Sequence, residues 1–238
     1  MILILTMAGH YQRFKDAGFN IPKYLLPWGA RTVLSKILHE LIAAGDMAEI
    51  FLVCNFRDEA FMPHVRAVIT ELGVDPGNLL MVGDTKGQAE TAMLGILAAM
   101  KNGVNSTEHV MVHNIDTILL SRNKGEISKS LKVADAYVDV FRANSHNYSY
   151  VLTEGEDTVI EIAEKIVLSS MATSGLYAFR DVKTFLDHYR SSDVFISDVL
   201  QRMISSDLRV VKGVVHAESD TIVLGTPAEY MNASLLSM

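Results

Sequence analysis

A basic segment near the start of the sequence has the residue types needed to hold a small anion. Between Gly9 and Arg31 it contains four basic residues and one acidic residue, namely Arg13, Lys15, Lys23, Arg31 and Asp16. An arginine presents a planar fork of N–H donors to phosphate oxygens, and a lysine adds a mobile point charge. The chain as a whole carries a formal net charge of −7, which would repel an anion. We therefore expect a small anionic ligand to be held locally by this segment, called here the basic loop (residues 9–31).

The basic loop is predicted to be long and irregular. About twenty residues rich in Gly, Pro, Arg and Lys follow the first apolar run, and loops of more than roughly a dozen residues are usually functional or disordered. Its apolar residues argue against disorder, and Gly9 allows the backbone N–H groups to approach a ligand. A merely solvated surface loop is the alternative, which we would favour for one basic residue but not for the whole segment. As a solvated loop residue, Lys23 is expected to add little to stability.

A second polar segment, "GDTKGQAET" at residues 83–91, has two interpretations. Thr85 and Gln88 have the spacing of the N-cap and N3 residues of a capping box that opens a helix. The amide of Gln88 also offers one donor group and one acceptor to the edge of a nucleobase. Both uses compete for the same side chain, and the spacing leaves them open.

Acidic and basic residues follow two other apolar runs. Asp116 in "HNIDT" comes directly after a strand-like run, where a carboxylate can hold Mg²⁺ together with substrate phosphates. The alternative is a turn aspartate bonded to its own backbone, although a divalent ion between Asp116 and a phosphate held by the basic loop would explain both features. Lys165 follows Glu164 at the end of a strand, and alone this pair is best read as side chains on opposite faces.

These residues need a scaffold, which the apolar pattern of the first half supplies. Short runs rich in Val, Ile and Leu near residues 1–6, 48–54, 78–83 and 109–113 predict strands buried on both faces. Helical stripes separate them, the first ending at Gly45 and the second at Gly73. Alternating strands and helices predict a parallel sheet, and ligands bind outside the carboxyl ends of its strands. The polar segments after strands one, three and four should therefore converge on one crevice.

From about residue 134 the pattern changes to strands joined by turns, which predicts an antiparallel or mixed extension of the sheet. The extended runs are "AYVDVFRA", "YSYVLTEG", "DTVIEIAEK" and "TSGLYAFR". Helices near 181–190 and 194–206, strands near 208–216 and 220–225 and a short terminal helix complete the chain. We find no repeat or Pro/Ser-rich linker and expect one continuous unit with two lobes.

The composition excludes several classes of function. Cys54 is the single cysteine, so no internal disulfide and no multi-thiolate zinc site can form, and its apolar neighbours predict a buried residue. No basic stripe interleaved with aromatic residues predicts a nucleic-acid surface. The N-terminal apolar run breaks at Thr6 and is too short to span a membrane, so we expect a soluble cytoplasmic protein without a membrane or nucleic-acid partner.

Six segments in the same order resemble the nucleotidyltransferases that act on sugar phosphates, together with relatives in capsule and surface-polymer synthesis. They are "AGHYQRF" with "PKYLLP", "GDTKGQAET", "HNIDT", "AEK", "SGLYAF" and "LGTPAEY". The resemblance covers nearly the whole chain. It implies a Rossmann-like, mostly parallel but mixed α/β sheet flanked by helices, of the GT-A-like nucleotidyltransferase type. It also implies a single domain over 1–238, with a nucleotide-binding lobe (1–133) and an acceptor-binding lobe (134–238).

The resemblance implies a reaction and a role for each site residue. A phosphate oxygen of a small phosphorylated acceptor would attack the α-phosphorus of a nucleoside triphosphate and release pyrophosphate. Arg13 would hold the pyrophosphate, Lys23 would neutralise the α-phosphate and Lys165 would hold the acceptor phosphate. Asp116 would bind Mg²⁺, the implied cofactor. The nucleotide would contact Ala8, Gly9, Arg13, Lys23 and Gln88, and the acceptor would contact Thr117, Glu164, Lys165 and Gly175.

Two positions depart from the family pattern. Tyr11 stands where the family has a second loop glycine, so the backbone is expected to approach phosphate less closely or to follow another path. Val223 stands where many relatives have a second metal-binding Asp, and Asp220 is too far along an extended strand to replace it unless the backbone bulges. A catalytically silent protein that binds a nucleotide or nucleotide sugar is therefore an alternative. A glycosyltransferase of related topology would need a second Asp in the "HNIDT" segment.

The base and the acceptor depend on a few hydrogen bonds and on the shape of a pocket, which residue spacing does not reveal. Proteins of this kind often associate, so a homo-oligomer is an additional expectation.

Overall fold

The structure, a computed structural model, describes residues 1–43 and 49–235. The first half alternates strands with helices, as predicted. Its elements are β1 (Ile2–Thr6), α1 (Gln12–Asp16), β2 (Pro27–Trp28), β3 (Arg31–Thr32), α2 (Val33–Ala43), β4 (Glu49–Asn55), α3 (Met62–Glu71), β5 (Leu79–Val82), α4 (Gln88–Lys101), β6 (Val110–Asn114), β7 (Thr117–Leu119) and α5 (Lys124–Ser130). The predicted end of the first long helix at Gly45 lies outside the described residues.

The second half contains more strands than helices, also as predicted. Its elements are β8 (Ala136–Arg142), β9 (Ser149–Glu154), β10 (Thr158–Glu164), β11 (Met171–Phe179), α6 (Val182–His188), α7 (Ile196–Ser205), β12 (Val210–His216), β13 (Thr221–Val223) and α8 (Pro227–Ser234). None of the helices in the described ranges is long and apolar enough to cross a lipid bilayer.

Nine strands form one sheet in the order β5-β4-β1-β6-β11-β8-β12-β10-β9. The neighbours β5, β4, β1 and β6 are parallel, and β11 then pairs with β6 in the antiparallel direction. Thr6, the last residue of β1, lies beside Asn114, the last residue of β6. The basic loop and the "HNIDT" segment therefore leave the sheet side by side. The predicted mixed, Rossmann-like α/β fold is confirmed.

The central strands are buried on both faces, which explains why their sequences are apolar without alternation. Leu3 and Leu5 of β1 pack in the cluster that includes α2 and α3, whereas Ile2 and Ile4 pack in the cluster that includes α4 and α7. Helix α4 lies so close to the sheet that a Cβ on Gly95 would be 2.6 Å from the Ile4 side chain. Two helical layers therefore enclose the parallel half of the sheet.

The basic loop is less irregular than predicted. It contains α1, a single 3-10 turn over Lys23–Leu25 and the hairpin of β2 with β3. Phe14 of α1 is buried and packs its ring against Phe19 and Tyr230, so one apolar side chain anchors a short helix that has no periodic signal of its own. The loop prediction was wrong over these residues, and β7 and α5 were not predicted at all.

Candidate active site

A cavity of about 450 Å³ opens at the carboxyl ends of β1 and β6. It is lined by all ten of the residues proposed from the sequence, namely Ala8, Gly9, Arg13, Lys23, Gln88, Asp116, Thr117, Glu164, Lys165 and Gly175. The predicted crevice at this edge of the sheet therefore exists, and segments more than 150 residues apart in the chain meet in it. The individual roles of these residues stay predictions.

An ion pair between the basic loop and the "HNIDT" segment lines the cavity. Lys23 Nζ donates a hydrogen bond to Asp116 Oδ2 at 2.7 Å, and the side chains are 15% and 26% exposed. Burial raises the pKa of Asp116, but the charge and hydrogen bond of Lys23 outweigh it and hold the pKa below its usual value. Asp116 is therefore an ionised acceptor in a half-buried place, and Lys23 is not the solvated residue that the sequence predicted.

A second carboxylate approaches the same place from α8. A Cβ on Gly225 would lie 3.9 Å from Asp116 Oδ2 and 3.4 Å from Glu229 Oε2, so both carboxylates flank this glycine. Thr226 Oγ1 donates to Glu229 Oε2 at 2.9 Å and accepts from the Glu229 N–H at 3.2 Å. The sequence analysis missed Glu229, although Thr226 and Glu229 have the T-x-x-E spacing of a capping box.

Neither Val223 nor Asp220 supplies a carboxylate to this place. Val223 pairs with Thr117 in the antiparallel two-stranded sheet of β7 and β13 and lines the cavity with an apolar side chain. Asp220 is not among the residues that line the cavity, and its backbone oxygen accepts hydrogen bonds from Leu120 and Arg122. The expectation that Asp220 does not replace the missing Asp agrees with this arrangement.

The end of β6 and the middle of β11 are fitted tightly together, two residues before Asp116 in the chain. Gly175 has a φ of +85°, and a Cβ at this position would lie 2.1 Å from Asn114 Nδ2, so only glycine fits. The imidazole of His113 lies between the carbonyl oxygens of Gly175 and Thr117, and its burial lowers its pKa. Asn114 Oδ1 is buried and makes no hydrogen bond within the described residues. This oxygen is available as a hydrogen-bond acceptor or as a metal ligand, and Asn114 lies two residues before Asp116 in the chain.

The helix start at Gln88 differs from the predicted capping box. Helix α4 begins at Gln88 itself with Gly87 as the N-cap residue and no side-chain cap, and Thr85 Oγ1 lies 2.8 Å from Thr91 Oγ1 instead. The capping-box interpretation was therefore wrong. Gln88 Nε2 is buried and has no hydrogen-bond acceptor within the described residues, which leaves this amide available to a ligand in the cavity.

The opposite end of the cavity is built by β10 and the segment before α7. Lys165, just after β10, adopts a φ of +58°, which interrupts the alternation of the strand, and both Glu164 and Lys165 line the cavity. The interpretation that the Glu164 and Lys165 side chains lie on opposite faces of the strand was therefore wrong. Lys165 Nζ lies 5.4 Å from the centre of the Phe195 ring, and the Glu164 carboxylate accepts a hydrogen bond from Ser149. Tyr148, Ser149, Tyr177 and Phe195 also line this end, and the sequence analysis missed them.

One cavity thus combines a basic loop, a half-buried carboxylate and the second cationic residue Lys165. The sequence match decides the family. Residues 3–236 match the sequence profile of the nucleotidyl transferase family. The chain is a nucleotidyltransferase. The match spans nearly the whole sequence, so the predicted membership of a nucleotidyltransferase family is confirmed. No curated protein matches the chain closely enough to count as a relative.

Solved structures agree with this assignment. The nucleotidyltransferase is similar to the nucleoside-diphosphate-sugar pyrophosphorylase of Vibrio cholerae RC9, with 28% identity, a TM-score of 0.86 and 98% of each chain covered. It shares its fold with the inositol-1-phosphate CTP transferase of T. maritima, at 16% identity and a TM-score of 0.74, with 99% of this chain and 94% of that chain covered. A UTP-bound UGPase from Acinetobacter baumannii has 16% identity and a TM-score of 0.73, over 99% and 92% of the two chains.

Proposed function

We propose that this nucleotidyltransferase transfers a nucleoside monophosphate from a nucleoside triphosphate to a sugar phosphate, with release of pyrophosphate. The observation that carries the proposal is the Lys23–Asp116 pair, which lines one cavity together with Arg13 and Lys165. Three cationic side chains along one cavity suit two phosphorylated substrates that must meet, because each phosphate group needs charge neutralisation where it is held.

In this reaction an oxygen of the acceptor phosphate attacks the α-phosphorus of the nucleotide. A new P–O bond forms, and the bond from the α-phosphorus to the oxygen that bridges to the β-phosphate breaks, so that the electron pair leaves with pyrophosphate. Arg13 holds the leaving pyrophosphate, Lys23 stabilises the charge on the α-phosphoryl group and Lys165 orients the acceptor phosphate. Positioning and charge stabilisation supply most of the rate in transfers of this kind.

The neutral residues of the cavity position the two substrates. We assign the nucleotide to Ala8, Gly9 and Gln88, since the buried amide of Gln88 needs a hydrogen-bond acceptor that a nucleobase can supply. We assign the acceptor to Thr117, Glu164 and Gly175, which line the same cavity. The Glu164 carboxylate is a hydrogen-bond acceptor suited to hydroxyl groups of a sugar.

The oxygen atoms around Asp116 fit Mg²⁺. The Asp116 carboxylate is ionised, and Asn114 Oδ1 has no hydrogen bond within the described residues. The Glu229 carboxylate flanks Gly225, as the Asp116 carboxylate does. No group of three His, Cys, Asp or Glu side chains suited to a metal occurs in the described residues, and Mg²⁺ commonly takes one or two carboxylates plus phosphates and water. Asp116 would hold the ion, with Glu229 in place of the carboxylate that Val223 lacks. A bound Mg²⁺ would neutralise phosphate charge.

A release assay for pyrophosphate, run with each common nucleoside triphosphate, pooled sugar phosphates and Mg²⁺, tests the proposal. We expect release only when a triphosphate and a phosphorylated acceptor are both present. The substitution at Val223 favours one other function, that of a silent homologue that binds a nucleotide or nucleotide sugar. A rise in melting temperature with a nucleotide, without pyrophosphate release from any pair, would support that function and refute the transfer.

A further inference from the structure

Tyr11 occupies a backbone conformation that normally requires glycine. Its φ and ψ are 38° and 36°, in the left-handed region, which is unfavourable for a residue with a side chain. The carbonyl oxygen of Tyr11 accepts hydrogen bonds from the N–H groups of Phe14 and Lys15, and so it starts the helix that carries Arg13. The chain therefore keeps the path that a glycine would take, and something must hold the tyrosine in it.

The side chain that holds Tyr11 is Asp58, which lies in the 3-10 turn after β4 and is fully buried. Tyr11 Oη donates to Asp58 Oδ1 at 2.6 Å, and Tyr24 Oη donates to Asp58 Oδ2 at 2.9 Å. Tyr24 directly follows Lys23 and is also buried. One carboxylate thus joins the residue that opens the Arg13 helix to the neighbour of Lys23.

This link lies behind the cavity and not in it. Asp58, Tyr11 and Tyr24 are all absent from the residues that line the cavity, while Arg13 and Lys23 both line it. Burial raises the pKa of both tyrosine hydroxyls, so they stay protonated and remain donors. A buried carboxylate is costly to desolvate unless hydrogen bonds satisfy it. Loss of either tyrosine hydroxyl would therefore destabilise the folded protein, and the two hydrogen bonds hold Tyr11 and Tyr24 in place.

We propose that Asp58 is a positioning residue for the triphosphate. By holding Tyr11 and Tyr24, it keeps both cationic ends of the basic loop oriented toward the cavity before the nucleotide binds. A loop that is already ordered does not lose conformational freedom on binding, so the triphosphate binds more tightly and in one position. The inference rests on the proposed function, because it assigns the phosphates to Arg13 and Lys23.

The inference separates the two substrates. The Asp58 link touches the basic loop alone, whereas Lys165 follows β10 and its ammonium lies over the Phe195 ring. Loosening the loop should therefore weaken the binding of the triphosphate and of pyrophosphate, and leave the Michaelis constant of the acceptor unchanged. A role in stability alone would not split the substrates in this way.

The test measures the binding of inorganic pyrophosphate with Mg²⁺ by calorimetry, in the full chain and in variants. Tyr11→Phe and Tyr24→Phe each remove one donor and keep the ring, and Asp58→Ala removes the acceptor. We expect about threefold weaker binding for each tyrosine variant and about tenfold for Asp58→Ala. Adding Tyr11→Phe to Asp58→Ala should have no further effect, because both changes break the same link.

Phe185→Leu is the matched control. It removes part of a buried ring in α6, away from the basic loop, and should lower the melting temperature without changing pyrophosphate binding. If Asp58→Ala does not fold, the two tyrosine variants decide the question alone. Wild-type affinity in the folded tyrosine variants would overturn the positioning role and leave the proposed function intact. If the wild-type protein binds neither pyrophosphate nor any triphosphate, the proposed function and this inference both fail.

Discussion

The two ends of the cavity differ in how firmly their charges are held. At the loop end, Lys23 is bonded to Asp116, and the residues beside Arg13 and Lys23 are tied to a buried carboxylate. At the far end, Lys165 is exposed and its ammonium lies over the Phe195 ring. On the proposed function, the triphosphate would meet a preformed set of charges, whereas the acceptor end would leave room to select among small phosphates.

The strongest way to break this comparison is to remove Lys23. We expect Lys23→Ala to lower kcat/KM at least about 1,000-fold, because the variant loses charge stabilisation at the α-phosphate. It should also cost about 1–3 kcal/mol of stability, since it leaves the half-buried Asp116 without its cation. Steady-state kinetics and urea unfolding provide the two measurements.

Lys183→Ala is the control for that variant. Lys183 is 69% exposed, pairs with Asp187 on α6 and does not line the cavity. Its removal should change kcat/KM less than twofold. Activity of Lys23→Ala within tenfold of the wild type would show that the loop end does not hold the reacting phosphate.

The second variant, Asp116→Asn, addresses the metal. We expect an activity loss of about 100-fold and a loss of Mn²⁺ binding, followed by electron paramagnetic resonance without nucleotide. Asp220→Asn is the matched control. Asp220 carries the same carboxylate and its backbone contacts Leu120, but it does not line the cavity. Equal Mn²⁺ binding by Asp116→Asn and the wild type would show that the ligand is misassigned.

The acceptor end should respond differently. We expect Lys165→Ala to raise the KM of the acceptor about tenfold and to change the KM of the triphosphate less than twofold, since Lys165 is proposed to hold the acceptor phosphate alone. The two constants come from one set of two-substrate initial rates. An effect mainly on the triphosphate KM would reverse our assignment of the two ends.

The smallest effect is expected at Glu229. Glu229→Gln should weaken Mn²⁺ binding about threefold, because the glutamine keeps the size but loses the charge. Glutamine also serves at the third position of a capping box, so the melting temperature should stay the same. Unchanged Mn²⁺ affinity would leave Asp116 as the only carboxylate concerned and would remove Glu229 from the proposed site.

The sequence predicted the elements well where one local pattern decides them. The apolar runs of β1, β4, β5 and β6 and the stripes of the helices between them follow from residue periodicity, so the sheet and the edge that carries the site were predicted correctly. Short elements held by distant contacts were missed. Helix α1 depends on Phe14 packing against Tyr230, which is more than 200 residues away in the chain.

The candidate site shows the same limit. Residue types, together with the resemblance to known nucleotidyltransferases, picked ten residues that line one cavity, but their connections were not predictable from spacing. Lys23 meets Asp116 across 93 residues, and Tyr11 meets Asp58 across 47. These contacts make Lys23 a structural residue as well as a candidate catalytic one, and they explain how a tyrosine can stand in a glycine position. The spacing of Thr226 and Glu229 indicates a capping box, but it does not reveal that the Glu229 carboxylate lies near Asp116.

The most direct test of the central claim follows radioactive phosphorus through the reaction. Each nucleoside triphosphate is supplied with ³²P at either the α- or the γ-position, together with Mg²⁺ and pooled sugar phosphates, and the products are separated by chromatography. Our account predicts that the α-label appears in a new product that forms only with an acceptor, while the γ-label appears in pyrophosphate. Transfer of the γ-label to the acceptor, its release as orthophosphate, or no acceptor-dependent product from any triphosphate would contradict it.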